Sequence, residues 1–475
     1  MSLDAVGEEC GIVGVRAPGA SVAWMVYAGL LALQHRGQEA AGVAVGDGSR
    51  LSLERGLGLV TQVFDEERLD RLPGLVGVGH VRYPTAGGAA LANAQPLLGA
   101  AASGERFALA HNGNLLRIGR FGGSADGAGG RACDRAGREP GSDRRRDGGT
   151  DTQALVDRLA TREGPLVQGL RELLPHVYGA YCLVLATPSA LYAARDPHGF
   201  RPLCLGATAT GWVVASETAA LDAVGARFVR EVEPGELLTI DDDGLRSEHF
   251  AVAPHTLCVF EHVYIARPDS LISGRRVQEV RHAFGAALAR EAGVPADVVI
   301  PVPDTARPAA LGYAAESGVP YAEGFVRNPY LGRTFLRPSD AARRSGVRLK
   351  LNPVPEAVGG KRVVVVDDSL VRATSMKHAV ALLRGAGAAE VHVRLASSTI
   401  AWPCFFGVDI STQSELAGHL MTPEQIGAFV GADSLAFLSV EAMSAATGAG
   451  RSLCLGCFTG SYPSRVPLEP ARPVA

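Results

Sequence analysis

A chain of 475 residues that is 47% apolar and 20% charged has the makeup of a globular protein and enough length for two hydrophobic cores. Its formal net charge of −3 excludes a dominant nucleic-acid footprint, so any phosphate binding should be local. No apolar run is long enough to cross a bilayer, and residues 1–9 lack the basic-then-apolar order of a secretory signal, which sets membranes aside and makes the cytoplasm the default.

In chain order, the first element is a strand that begins almost at once, in Glu8–Gly14 (EECGIVG), with a thiol at its edge. If residues 1–9 are a propeptide, their removal gives Cys10 a nucleophile and a free α-amine on one residue, and that amine titrates near neutrality. From Cys10 to about Phe250, short strands alternate with period two between Gly and Asp turns, and helical spacing recurs from Val22 to Leu33 and from Thr152 to Leu174. The expected domain, residues 10–250, is an antiparallel sandwich flanked by helices. Residues 119–149 are mostly Gly, Arg and Asp with no apolar period, which predicts a loose loop; its interleaved Asp residues argue against a nucleic-acid arm. After Tyr264–Ser270 (YIARPDS) helices and apolar strands alternate as in a wound parallel sheet, so residues 251–475 form the second expected domain.

That second domain holds the run Val363–Ser375 (VVVVDDSLVRATS), where a β-branched strand suited to burial on both faces ends in two carboxylates and then small hydroxyl residues. Helical spacing follows from Met376 to Leu383. The loop therefore lies at the carboxyl end of a parallel strand, where such sheets bind ligands. Backbone N–H groups and the Ser369, Thr374 and Ser375 hydroxyls suit a terminal phosphate at a helix N-terminus, while Asp367 and Asp368 suit ribose hydroxyls or Mg²⁺. Eight cysteines in so long a chain do not read as a disulfide framework. Cys182 and Cys204 read as core packing, whereas Cys454 and Cys457 form a close pair.

The motifs Gln34–Glu39 (QHRGQE), Gly79–Thr85 (GHVRYPT), Ala110–Asn114 (AHNGN) and Thr150–Thr152 (TDT) resemble, in that order, the glutaminase motifs of N-terminal-nucleophile (Ntn) amidotransferases. Val363–Ser375 resembles the phosphoribosyl-pyrophosphate motif of type I phosphoribosyltransferases. Pro301–Thr305 (PVPDT) resembles the pyrophosphate-side turn of that group, and Asn328–Phe335 (NPYLGRTF) its flexible catalytic loop. Together these resemble the glutamine phosphoribosylpyrophosphate amidotransferase family, in its cluster-bearing branch.

The resemblance implies an N-terminal four-layer αββα Ntn-hydrolase glutaminase domain and a C-terminal type I phosphoribosyltransferase domain, α+β and α/β respectively. It implies that Arg82 pairs the glutamine α-carboxylate, Asp151 holds its α-ammonium, and the Asn112 side chain with the Gly113 N–H forms the oxyanion hole. Thr305, Asp367 and Asp368 become Mg²⁺-linked positions. Ser369, Arg372, Thr374 and Ser375 belong to the phosphosugar loop, and Arg333, Arg348 and Lys350 to a loop that meets pyrophosphate and closes over the sugar. Cys258 and Cys404 become partners of Cys454 and Cys457 on a 4Fe-4S cluster, although the spacing alone also allows a structural zinc. Arg195–Arg201 (RDPHGFR), Ala215–Thr218 (ASET) and Arg230–Glu236 (REVEPGE) match as scaffold, and the Tyr264–Ser270 junction is expected to help line a path for ammonia.

The implied activity is glutamine hydrolysis through a Cys10 thioester and transfer of the ammonia to phosphoribosyl pyrophosphate, giving 5-phosphoribosylamine, the first committed step of purine synthesis. A homotetramer inhibited by purine nucleotides is implied as well. Several positions depart from the pattern: Ala373 replaces a glycine of the phosphate loop, Arg337 and Asp340 replace glutamines, and Ser398–Ile400 replaces a Ser-Pro-Pro turn. Ala373 favours a rival reading, a phosphosugar-binding regulator without turnover. A second rival, a sugar-phosphate amidotransferase, is disfavoured by Asp367 and Asp368.

Overall fold

The computed structural model describes residues 10–83, 90–119, 150–328, 351–410, 412–449, 452–464 and 466. The chain forms two compact units: one runs to Leu257 and includes Phe405–Gly407, and the other comprises Cys258–Cys404 and Val408–Ser461.

In the first unit, strands β1 (Gly11–Arg16), β2 (Ala40–Gly46), β3 (Leu51–Leu57), β4 (Val76–Arg82), β5 (Leu97–Ala100), β6 (Arg106–Ile118), β7 (Val177–Ala186), β8 (Leu191–Arg195), β9 (Cys204–Ala207), β10 (Trp212–Ala215), β11 (Arg227–Glu231), β12 (Glu236–Asp241) and β13 (Gly244–His249) build two sheets. Their orders are β11-β9-β10-β1-β4-β2-β3 and β13-β12-β8-β7-β6-β5, with antiparallel pairing. Period-two alternation sorts each strand's side chains between two cores. Ile12, Ala44, Val78, Ala110 and Val184 fill the space between the sheets. Val13, Val43 and Val81 point outward onto Val22, Val26 and Leu30 of the helix Val22–Ala32. On the other side, Leu109, Leu183 and Leu185 meet Leu155, Leu159, Leu170 and Leu173. The result is helix, sheet, sheet, helix.

The single helical stretch expected from Thr152 to Leu174 is instead two helices, Asp151–Ala160 and Leu166–Leu173. Gly164 between them takes φ +87° and Pro165 precedes the second helix, so the apolar period continues across a break that backbone geometry enforces. Of the Gly/Arg/Asp-rich segment, residues 120–149 lie outside the described residues.

In the second unit, β14 (Val298–Pro301), β15 (Arg362–Asp367), β16 (Glu390–Leu395) and β17 (Ser434–Phe437) lie side by side in that order, all parallel. Val363 to Val366 are fully buried, as expected of a strand covered on both faces. Val363, Val365, Val391 and Val393 pack with Met376, Val380 and Leu383 of the helix Thr374–Gly385 and with Ile426 and Val430 of the helix Pro423–Val430. No helix of the described residues is long and apolar enough to cross a membrane.

Candidate active sites

Cys10 precedes β1 and is half-buried, with its Sγ 3.9 Å from the Tyr83 carbonyl oxygen. Gly11 faces Val81 in the β1–β4 register, so Cys10 and Arg82 each sit one residue further along on adjoining strands. Arg82 is 4% exposed, and its guanidinium lies 3.8 Å from the Glu39 carboxylate. Burial pushes the Glu39 carboxyl up, and the Arg82 charge opposes this. Gly37 must be glycine here, since a Cβ would come within 2.7 Å of Arg82 backbone atoms.

Arg36, part of the QHRGQE motif, lies beside Cys10. It is fully buried, and its Nε donates to the Cys10 carbonyl oxygen at 3.2 Å. Its Nη1 donates to Glu217 Oε1 at 2.6 Å, an oxygen that also meets His35 Nε2 at 2.8 Å. Glu217, read as scaffold, therefore neutralises the cation that holds the Cys10 backbone. Its signal in the sequence was slight, because the partners lie 181 residues apart.

Asn112 and Gly113 occupy β6, opposite Cys182 and Tyr181 of β7. Asn112 is fully buried, yet neither Nδ2 nor Oδ1 has a hydrogen-bond partner among the described residues. A buried carboxamide with no partner costs stability unless a ligand completes it. Gly113 has φ +140°, and a Cβ would lie 2.1 Å from the Ala180 carbonyl oxygen, so only glycine can hold this N–H in place.

Asp151 opens the helix Asp151–Ala160, capped by Thr150, whose hydroxyl accepts from the Gln153 N–H. Its carboxylate accepts from the N–H groups of Thr152 (2.8 Å) and Leu115 (3.2 Å) and lies 3.7 Å from His111 Nδ1. His80 Nε2 meets the His111 carbonyl oxygen at 3.2 Å, pinning β4 of one sheet to β6 of the other. Burial, with the His111 and Arg82 charges, drives His80 down to about 3, so its imidazole is neutral.

In the second unit, Asp367 ends β15, and Asp368 and Ser369 follow; all three are half-buried. The Asp368 N–H donates to Asp367 Oδ1 (2.9 Å), and the Ser369 hydroxyl donates to Asp368 Oδ1 (2.7 Å). Burial and the Asp368 charge push the Asp367 carboxyl well up. Burial pushes Asp368 up to about 6, against the Ser369 hydroxyl and the nearby Arg281 cation that favour its charged form. Two desolvated carboxyls side by side suit a divalent cation. Arg281, 2% exposed and donating to the His262 and Ala266 carbonyl oxygens, had no part in the sequence reading.

Thr305 is half-buried in the turn between β14 and the helix Arg307–Ser317, a turn tied to the β15 strand by the bond from Val302 N–H to Val366 O (2.8 Å). Asp367, Ser369, Ala373 and Ser375 line one small cavity. Thr374 is exposed at the start of the following helix, and Arg372 is turned to Glu415, with Nη2 2.6 Å from its carboxylate. Ala373 has φ +63° and is 1% exposed, so the loop keeps a left-handed residue without glycine. A cleft of about 550 Å³ lies among Asp304, Arg307, Glu323, Phe325 and Arg327. Arg333, Arg348 and Lys350 lie outside the described residues, as do Arg337 and Asp340.

Cys258, Cys454 and Cys457 are buried, Cys404 is half-buried, and none of the four is in a disulfide. Burial pushes the Cys457 thiol well up, and Cys404, Cys258 and Cys454 are near enough to push the same way. Among the described residues no three Cys, His, Asp or Glu side chains are drawn together closely enough for a ready metal site. One tetrahedral zinc would need the sulfurs about 3.8 Å apart, given Zn–S bonds of roughly 2.3 Å. Four thiols are the donor type that either a 4Fe-4S cluster or a structural zinc takes.

Residues 140–223 match the model of a glutamine amidotransferase domain family. The amidophosphoribosyltransferase of Mycobacterium bovis is 49% identical over 99% of this chain and 89% of its own length, and that of Bacillus subtilis is 43% identical over 97% and 95%. A solved structure described as glutamine phosphoribosylpyrophosphate amidotransferase from B. subtilis complexed with ADP and GMP superposes with TM-score 0.84 at 40% identity, covering 96% of this chain and 98% of that one. Another, described as the allosteric regulatory enzyme of purine biosynthesis, gives 0.86 at 41% identity, covering 96% of each.

Fold and relatives together define a glutamine amidotransferase of the Ntn-hydrolase kind joined to a phosphoribosyltransferase domain. The chain belongs to the amidophosphoribosyltransferase family, pentosyltransferases of purine biosynthesis that draw nitrogen from glutamine.

Proposed function

We propose that Cys10, once residues 1–9 are removed, passes its thiol proton to its own α-amine and attacks the glutamine carboxamide carbon. Arg82 and Asp151 hold the α-carboxylate and α-ammonium of glutamine. Asn112 Nδ2 and the Gly113 N–H receive the oxyanion, ammonia departs, and water hydrolyses the thioester to glutamate. The observation that carries this reading is Asn112, a fully buried carboxamide with both polar atoms open in a site otherwise rich in hydrogen bonds.

The ammonia passes to the second unit without release, because in neutral water it would be protonated and lose its nucleophilic lone pair. There it displaces pyrophosphate from C1 of phosphoribosyl pyrophosphate, forming 5-phosphoribosylamine. Asp367 and Asp368 orient the ribose hydroxyls and, with Thr305, would hold Mg²⁺. That ion, when bound, supplies charge neutralisation for the leaving pyrophosphate. Ser369, Thr374 and Ser375 hold the 5′-phosphate, Arg372 flanks it, and Arg333 and Lys350 meet the pyrophosphate. Cys258, Cys404, Cys454 and Cys457 would hold a 4Fe-4S cluster, which supplies a structural cross-link.

A homotetramer in the cytoplasm, regulated by purine nucleotides, completes the reading; the ADP and GMP named for the B. subtilis structure support the last point. Ala373 keeps the left-handed turn a glycine would give. The test is to assay pyrophosphate and phosphoribosylamine with glutamine and then with ammonia, in the parent and in Cys10→Ala. The variant should lose the glutamine-dependent reaction and keep the other; a variant that still turns over glutamine sinks the assignment.

A further inference from the structure

Gln95 and Thr152 take no part in the chemistry above, yet both are buried within it, 7% and 1% exposed. The Gln95 side chain bridges two groups: Oε1 accepts from the His111 N–H at 2.7 Å, and Nε2 donates to Thr152 Oγ1 at 3.0 Å. Thr152 Oγ1 also meets His111 Nδ1 at 3.2 Å, and the Thr152 N–H donates to Asp151 Oδ1 at 2.8 Å. One chain of bonds thus runs from the residue beside Asn112, through two buried side chains, to the carboxylate at the helix start.

Gln95 Nε2–H occupies one lone pair of Thr152 Oγ1. The Thr152 hydroxyl donates in turn to Asp151 Oδ1 at 3.5 Å, while burial lowers the His111 imidazole pKa against the pull of Asp151. A hydroxyl that both accepts and donates is required at position 152; a methyl would leave two buried groups unpaired.

We propose that Gln95 and Thr152 are positioning residues for glutamine, fixing the Asp151 carboxylate at a set distance from the Asn112–Gly113 oxyanion hole. This rests on the roles given to Asp151 and Asn112 above. Glutamine spans those groups from its α-ammonium to its side-chain carboxamide, so the frame selects for that chain length and rejects a shorter amide.

The test is Thr152→Val, which keeps the shape and removes the hydroxyl, with Thr152→Ser as the conservative restoration. Thr152→Val should lower glutamine kcat/KM about tenfold or more, mainly through KM, while ammonia-dependent synthesis stays within about twofold; Thr152→Ser should recover most of the loss. Gln95→Glu, which keeps the acceptor for the His111 N–H but loses the donor to Thr152, should give the same split and serves if Thr152→Val does not fold. A parallel fall with both nitrogen donors, an unchanged glutamine KM, or no recovery in Thr152→Ser would overturn the proposal. Asp151→Asn, run alongside, reports on the underlying reading: if it leaves the glutamine KM unchanged, that assignment falls and this one with it.

Discussion

The glutaminase site and the phosphosugar cradle reach their chemistry by opposite routes. The first, as proposed, draws on residues far apart in sequence that two sheets bring together: Cys10 beside β1, Arg82 on β4, Asn112 on β6 and Asp151 on a helix. Arg82 and Asn112 are deeply buried in it, and long-range partners such as Arg36 with Glu217 and His80 with His111 lock it. The cradle is local, since Asp367, Asp368, Ser369 and Ser375 fall within nine residues of one strand and its following turn. A site built from distant pieces depends on the whole unit being folded; a site built from one turn depends on the shape of that turn.

The largest effect that would separate the two is chemical. Asp367→Asn with Asp368→Asn should abolish phosphoribosylamine formation with either nitrogen donor, a loss of about 10³-fold or more, while a reactive glutamine analogue still labels Cys10. Loss of labelling in the folded variant would show that the two sites are not separable in this way.

Next in size is a stability effect confined to the first unit. Glu217→Ala leaves Arg36 charged, buried and without that carboxylate, which should cost about 3–5 kcal/mol. Thermal or urea unfolding would register it, and a change below about 1 kcal/mol would mean that Arg36 finds water on its own.

A pH effect comes third. His80 has its folded value lowered to about 3, so the unfolded chain, titrating near 6.5, binds the extra proton between those values. The stability that His80 contributes is fully present above pH 6.5 and is lost as pH falls through that window toward 3. His80→Gln should flatten this slope in the melting temperature of the first unit. An identical slope in the variant would place the acid sensitivity elsewhere.

What the sequence made legible divides along the same line. The β15 strand, the acidic turn and the helix after it could be read almost residue by residue, because strand, loop and helix N-terminus are contiguous. An antiparallel sandwich flanked by helices was legible from period-two alternation, but the break at Gly164 and Pro165 was not, since the apolar period runs through it. Arg36, Glu217, Gln95 and Arg281 act through partners with no sequence proximity, and spacing carries no mark of such pairings. Cys457 and its three neighbours were grouped only through resemblance, as 196 residues separate Cys258 from Cys454.

The smallest effect belongs to Ala373 and tests how far a local site settles its own strain. A left-handed alanine costs roughly 1–2 kcal/mol, and glycine at that position would relieve it. Glycine, however, gives back about 0.5–1 kcal/mol through the entropy of the unfolded chain. The Ala373 methyl is also part of the apolar core beneath the loop, with Met376 and Leu370, and burying one such carbon is worth about 0.8 kcal/mol. These terms nearly cancel, so Ala373→Gly should shift stability by less than about 1 kcal/mol in either direction. Because that methyl packs into the core, affinity for phosphoribosyl pyrophosphate should stay within about threefold of the parent, measurable by titration. A tenfold gain in affinity would show that the methyl obstructs the phosphate, and the turn would then be a site that evolution has left partly closed.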